Sequence, residues 1–314
     1  MKKVVLHFIA LIAIELALPS CRQNGKNNTI SDKQNASFDA KIKIKGSESE
    51  LNLVSFLADE FQKKNKGITV EIAGGGTGLG IRCLTDCNID IANASRLMTE
   101  EELETAEHHG ILPISVIISL DAVAIITNPH AGIDSLSLDQ LKSIFSGVIR
   151  NWKEVGGADL PIKVYNRGEN SGTQKYLFDR LNINPLNSPS EKMEENKDVI
   201  ESVIREKGAI AYVSLGAIMD KNGKPNPNVW AVNTFFEGGK AHSPYQLDAV
   251  KNGEYPLVRP LYQYTKGLPN GNILEFLKFE LADEQQKKLE QHGYFSISPI
   301  HKAINSKNVS DLNL

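Results

Sequence analysis

The order of apolar and polar positions separates a short apolar leader, a polar stretch, and a long body in which strand and helix periods alternate. Lys41-Ile42-Lys43-Ile44-Lys45 repeats every second residue, the period of a half-buried strand. Gly46-Ser47 breaks it, and Leu53, Val54, Leu57, Ala58 and Phe61 then share one face of a helix. Ser47-Glu48-Ser49-Glu50 has the spacing of a capping box that starts this helix. Residues 68–72 predict a second strand, Gly74-Gly75-Gly76-Thr77-Gly78 a turn, and residues 79–85 a helix. Ile89-Asp90-Ile91-Ala92 predicts a strand closed by Asn93-Ala94-Ser95-Arg96, and Thr99 with Glu102 caps a helix running to His109. Residues 115–128 are strongly apolar except for Asp121, which suits a buried strand that crosses between two lobes.

Further on, residues 137–146 predict a capped helix and residues 162–165 a strand. The loop 166–170 leads into Ser171-Gly172-Thr173 and a helix ending near Leu181. Residues 208–213 and 255–264 predict strands, 220–228 a surface loop, and 272–281 and 284–292 two late helices. Strands alternating with helices at this spacing predict a parallel or mixed α/β sheet. In such sheets ligands sit at the carboxyl ends of strands, where helices begin.

Ahead of the body, Lys2 and Lys3 precede an apolar run over 8–14, and Ser20 precedes Cys21. That is a secretory signal layout, too short to span a bilayer as a permanent helix. Residues 22–40 are rich in Asn, Lys, Ser, Gln and Gly and read as a flexible tether. With no second long apolar run, the mature body reads as soluble. The formal net charge of −3, without a long basic stretch, argues against nucleic acid as a partner. Cys83 and Cys87 stand four apart, either as a disulfide or as two small core residues, and nothing has metal-ligand spacing.

Three helix starts share a composition: Ser47 with Ser49, Thr77-Gly78, and Ser171-Gly172-Thr173. A helix start offers unpaired N–H groups and the positive end of the macrodipole. A hydroxyl donor and a glycine that permits close approach turn it into an anion cradle. Ordinary N-capping uses the same residues, but three such starts in one α/β chain favour the cradle. Arg167 lies four residues before Ser171, and its guanidinium can hold two oxygens of a tetrahedral anion. Its bland alternative is a solvated loop charge. No histidine stands in a nucleophile–base arrangement with Ser171.

These residues also carry a resemblance. Leu18-Pro19-Ser20-Cys21 resembles the lipobox of bacterial lipoproteins, which implies lipidation of Cys21 and a membrane anchor. Gly46-Ser47-Glu48-Ser49, Gly74-Gly75-Gly76-Thr77-Gly78-Leu79-Gly80-Ile81 and Asp90-Ile91-Ala92-Asn93-Ala94-Ser95-Arg96 resemble successive blocks of one family. So do Phe145-Ser146-Gly147 with Asn151-Trp152-Lys153-Glu154-Val155-Gly156-Gly157, and Arg167-Gly168-Glu169-Asn170-Ser171-Gly172-Thr173. That family is the substrate-binding subunit of phosphate ABC transporters, and the resemblance covers roughly residues 41–300.

The resemblance implies a two-lobed, type II periplasmic-binding-protein fold with the ligand cleft between lobes. Residues 41–120 with 255–305 would form lobe 1, and 121–254 lobe 2, after a signal peptide at 1–20 and an anchored tether at 21–40. It implies an exported, monomeric receptor in the periplasm or on the cell surface, not an enzyme and without cofactor or metal. That receptor would capture inorganic phosphate and hand it to a membrane permease. Carried over by position, the ligand contacts are Ser47, Ser49, Thr77, Gly78, Arg167, Ser171, Gly172 and Thr173. Ser95 and Arg96 occupy the block where many relatives place a binding residue. Some relatives have an aspartate at the position of Arg96, accepting the proton of hydrogen phosphate. With arginine there, Asp121 and Glu48 become the candidate acceptors, and Asp121 has the alternative of a structural salt bridge with Arg96. Sulfate and molybdate are the rival ligands, phosphate sensing and phosphate-ester hydrolysis the rival functions.

Overall fold

The computed structural model describes residues 40–184, 190–220 and 222–312. The leader, Cys21 and the tether up to residue 39 lie outside the described residues. Strand β1 (Ala40–Gly46) alternates buried and exposed side chains, with Ile42 and Ile44 in the core. Helix α1 (Leu51–Lys64) buries Leu53, Val54, Leu57, Ala58 and Phe61, the five positions its period marks. Each large apolar side chain taken fully out of water there contributes about 1.5–3 kcal/mol. Its start differs from the expected capping box. Glu50 is the N-cap and makes no capping bond, because residues 47–50 close a turn of their own. In that turn Glu50 N–H donates to Ser47 O at 3.2 Å, and Ser47 Oγ accepts from Ser49 N–H at 3.2 Å.

β2 (Ile68–Ala73), α2 (Thr77–Thr85), β3 (Ile91–Ala94) and α3 (Glu100–His108) follow in order. The capping box of α3 is present, Glu102 N–H donating to Thr99 Oγ1 at 3.2 Å. Next come β4 (Ile114–Thr127), β5 (Ser135–Ser137), α4 (Leu138–Phe145), β6 (Lys163–Arg167), α5 (Gly172–Leu181), β7 (Glu191–Met193) and α6 (Asn196–Arg205). The chain closes with β8 (Ala209–Ser214), β9 (Trp230–Phe235), α7 (Leu247–Lys251), β10 (Val258–Thr265), α8 (Gly271–Leu281), α9 (Asp283–Gln286), β11 (Tyr294–Phe295) and α10 (Pro299–Asn308). The helix expected over 284–292 is broken into α9 and a 3-10 turn at Leu289–His292.

The strands run in the order β2-β1-β3-β10-β4-β8-β6-β7. β1 is parallel to β2 and β3, and β10 is antiparallel between β3 and β4. β4 joins the two halves. Its residues up to Ala122 pair with β10, and Val123 to Thr127 pair with β8. The apolar core divides in the same place. One body is built on Val123, Ile125, Phe145, Trp152, Phe178 and Tyr212, a second on Ile44, Leu53, Phe61, Ile118, Leu261 and Phe276, and a smaller third on Ile81, Leu84, Met98 and Tyr264.

Candidate functional site

The carboxyl ends of β1 and β6 feed the helix starts that the sequence singled out, and the fold brings these together from both halves. Ser49 Oγ, just before α1, lies 2.9 Å from Thr173 Oγ1 in the first turn of α5. Gly78 N–H, at the start of α2, donates to Asn170 O at 3.0 Å. Arg82 on α2 donates to Asn170 Oδ1 at 3.0 Å. Thr77 Oγ1 accepts from Ser95 N–H at 3.1 Å and stands 3.3 Å from Ser95 Oγ. Gly172 fills the space between: a Cβ there would come within 2.4 Å of Thr77 Oγ1 and 2.5 Å of Ser95 Oγ. Ser171 is the N-cap of α5, its Oγ accepting from Gln174 N–H at 3.2 Å. Ser47, Ser49, Thr77, Ser95, Ser171 and Thr173 are all buried. Three helix starts rich in hydroxyls therefore converge, each contributing partial positive charge.

At their centre lies a residue that the sequence reading passed over. Arg259 on β10 is 2% exposed, and its Nη2 reaches Ser49 Oγ at 2.8 Å and Thr173 Oγ1 at 3.1 Å. The same nitrogen donates to Asp121 Oδ2 at 2.8 Å, Nε donates there at 3.1 Å, and Nη1 reaches Ser95 O at 3.3 Å. Tyr176 lays its ring against the guanidinium at 5.3 Å. Asp121 stands directly opposite Arg259 on β4. Its Oδ1 accepts from Ser214 Oγ at 2.6 Å. Burial raises the Asp121 carboxyl above its ordinary value, while Arg259 and Ser214 oppose the rise. Both Asp121 oxygens are thus engaged, and its ion-pair partner is Arg259, not the Arg96 expected from sequence. The signal was available: Arg259 is a charge within an apolar strand, the feature that drew attention to Asp121.

Arg96 and Arg167, the two arginines that the sequence singled out, bond elsewhere. Arg96 makes a two-pronged bond to Glu102, at 2.6 and 2.8 Å, at the start of α3. Arg167, at the end of β6, is not a solvated loop charge; it is 2% exposed. It donates to Met193 O at 3.3 Å, to Glu194 O and to Asn196 Oδ1, tying the loop before α5 to the start of α6. Glu48 Oε1 accepts from Gly75 N–H at 2.7 Å, so it braces the glycine turn before α2. Cys83 and Cys87, left open between a disulfide and core packing, are both free, and Cys87 is exposed. Among the described residues no group of three or more His, Cys, Asp or Glu could hold a metal ion.

A family model described as "PBP superfamily domain" matches residues 29–284. The chain belongs to this superfamily. The phosphate-binding protein PstS of Bacillus subtilis is 29% identical over 296 residues, covering 92% of this chain and 91% of that protein. Protein SphX of Synechococcus elongatus is 30% identical over 254 residues, covering 78% of this chain and 74% of that protein. Among solved structures, a phosphate ABC transporter substrate-binding protein from Clostridium perfringens with bound phosphate superposes with a TM-score of 0.72. It shares 26% identity and covers 82% of this chain and 100% of its own. The α/β, two-lobed fold expected from the sequence is the fold of these proteins.

Proposed function

We propose that the protein captures inorganic phosphate between its two lobes and delivers it to the membrane permease of an ABC transporter. It acts as a binding protein and not as an enzyme. One observation carries this reading. Ser49 Oγ and Thr173 Oγ1, from opposite halves of the molecule, meet at 2.9 Å under the shared guanidinium of Arg259. A cluster of donors at three helix starts suits an anion, and tetrahedral oxygens match donors that arrive from several directions. Relatives that cover most of the chain are named as phosphate-binding proteins, which favours phosphate over sulfate or molybdate.

The contacts proposed are Ser47, Ser49, Thr77, Gly78, Ser171, Gly172 and Thr173, joined by Arg259. Asp121 holds Arg259 in place, Arg167 holds the loop before α5, and Ser95 shapes the wall behind Thr77. Arg96 falls outside the set because Glu102 occupies its guanidinium. Lobe 1 is taken as 41–120 with 255–305 and lobe 2 as 121–254. The chain is placed outside the cytoplasm, held to a membrane through lipid on Cys21. Cys21→Ala should then move the protein from the membrane to the soluble fraction of its host; retention in the membrane would contradict the anchor.

Calorimetric titration with phosphate and with sulfate tests the function. Tight binding of phosphate with little binding of sulfate is expected. Preference for sulfate or molybdate would move the substrate, and no binding of any oxyanion would refute the reading.

A further inference from the structure

Two asparagines outside the proposed anion contacts reach from one half of the molecule to the other. Asn170 stands in the loop before α5, and Asn196 is the first residue of α6. Both belong with the core that holds Val123 and Tyr212, into which α5 packs Leu177 and Phe178, and α6 packs Val199 and Val203. Their partners lie at the starts of α1 and α2, whose apolar faces pack with Ile44 and Tyr264 instead. Asn170 docks on α2. Its carbonyl accepts from Gly78 N–H at 3.0 Å, and its Oδ1 accepts from Arg82 Nη2 at 3.0 Å. The approach is close on this flank: a Cβ on Gly76 would come within 2.6 Å of Asn170 O, and one on Gly78 within 3.2 Å of Asn170 Oδ1.

Asn196 docks on the turn before α1. Its Nδ2 donates to Glu48 O at 3.2 Å, and its Oδ1 accepts from Arg167. These two bonds fix which way round the amide sits. A guanidinium only donates and a carbonyl only accepts, so the oxygen must face Arg167 and the nitrogen Glu48. Asn196 and Arg167 are both buried, which makes the reversed amide costly. The two gripped segments are also joined to each other, since Glu48 Oε1 accepts from Gly75 N–H at 2.7 Å. They are the segments that carry Ser47, Ser49 and Thr77 to the cradle.

We propose that Asn170 and Asn196 are positioning residues for anion capture, clasping the two halves over the cradle and setting how long the anion stays. The inference rests on the phosphate reading above. Two-lobed binding proteins close around their ligand by hinge motion. A buried anion leaves only when the halves part, and parting breaks the bonds of both asparagines. Entry into the open form comes before those bonds exist. The clasp therefore acts on the rate of release and hardly on the rate of capture.

Release of radiolabelled phosphate, followed by rapid filtration after a chase with unlabelled phosphate, tests this on the full chain, Asn170→Ala and Asn196→Ala. Equilibrium dialysis supplies the affinity, and the two together give the association rate. Neither substitution changes the charge of the protein. Each variant should release phosphate about threefold to tenfold faster, the scale of one hydrogen bond. Association should stay within about twofold of the wild type. Unchanged release, or slower association with unchanged release, would overturn the inference and leave the phosphate reading standing. A wild type that binds no phosphate would overturn both. Should an asparagine variant fail to fold, Arg82→Met removes the bond to Asn170 from an exposed side chain instead. Its release should quicken by the same factor, and release at the wild-type rate would overturn the proposal.

Discussion

Arg259 and Asp121 face each other across β10 and β4, 138 positions apart in the chain. The charged pair is tolerated in the interior because Ser214, Ser49 and Thr173 answer the atoms that the pair leaves over. Arg259→Ala removes both the donor to the cradle and the countercharge of Asp121. Phosphate affinity should fall at least about a hundredfold, read by calorimetry. Stability should fall by about 3–5 kcal/mol, read by chemical denaturation. Glu280 gives a pH test of the same interior. Burial raises its carboxyl well above the ordinary value, and the Gln263 bond opposes the rise. The protonated form therefore contributes stability in full below the carboxylate pKa of the unfolded chain. That contribution is lost as pH rises through the folded value. Glu280→Gln should match the wild type in mild acid and outlast it in alkaline solution, measured as denaturant midpoint; parallel curves would contradict the assignment. At this scale the sequence was legible where one position broke its context, as Asp121 did in an apolar run. Arg259 broke its context equally, but its partners come from strands and loops that no local pattern connects.

The helix starts set the site's shape. Gly46 enters the turn before α1 at φ +143°, with Asn93 O where a Cβ would stand. That geometry lets residues 47–50 close their own turn and delays α1 to Leu51. The periods behind α1, α2, α3 and α5 were plain in the sequence because each has a clear apolar face or cap. β5 and β7 have three residues each, too few for a period to register. Gly172 makes the sharpest test of the helix starts. It begins α5 with a helical backbone, so alanine costs little there, yet a methyl would meet Thr77 and Ser95. Gly172→Ala should weaken phosphate binding by more than about tenfold, the scale of one clash or lost bond. Its far-ultraviolet circular dichroism should not change. Unaltered affinity would mean that the anion does not approach α5.

At the scale of the molecule, β4 runs from one of the two larger apolar cores to the other. The molecule's α/β class followed from the alternation of strand and helix periods, and its superfamily from short blocks spaced in order along the chain. Neither pattern could say which arginine stands at the centre, since Arg167 and Arg259 are both buried and only their partners tell them apart. Arg167 spends its donors on the start of α6, whereas Arg259 spends one on each half of the cradle. The most direct measurement is a crystal structure with arsenate, whose arsenic scatters anomalously and whose oxygens mimic phosphate. The arsenic peak is expected among Ser49, Thr77, Thr173 and Arg259, within hydrogen-bond reach of the first turns of α2 and α5. A peak on Arg96 or elsewhere on the surface, with the cradle empty, would contradict the account.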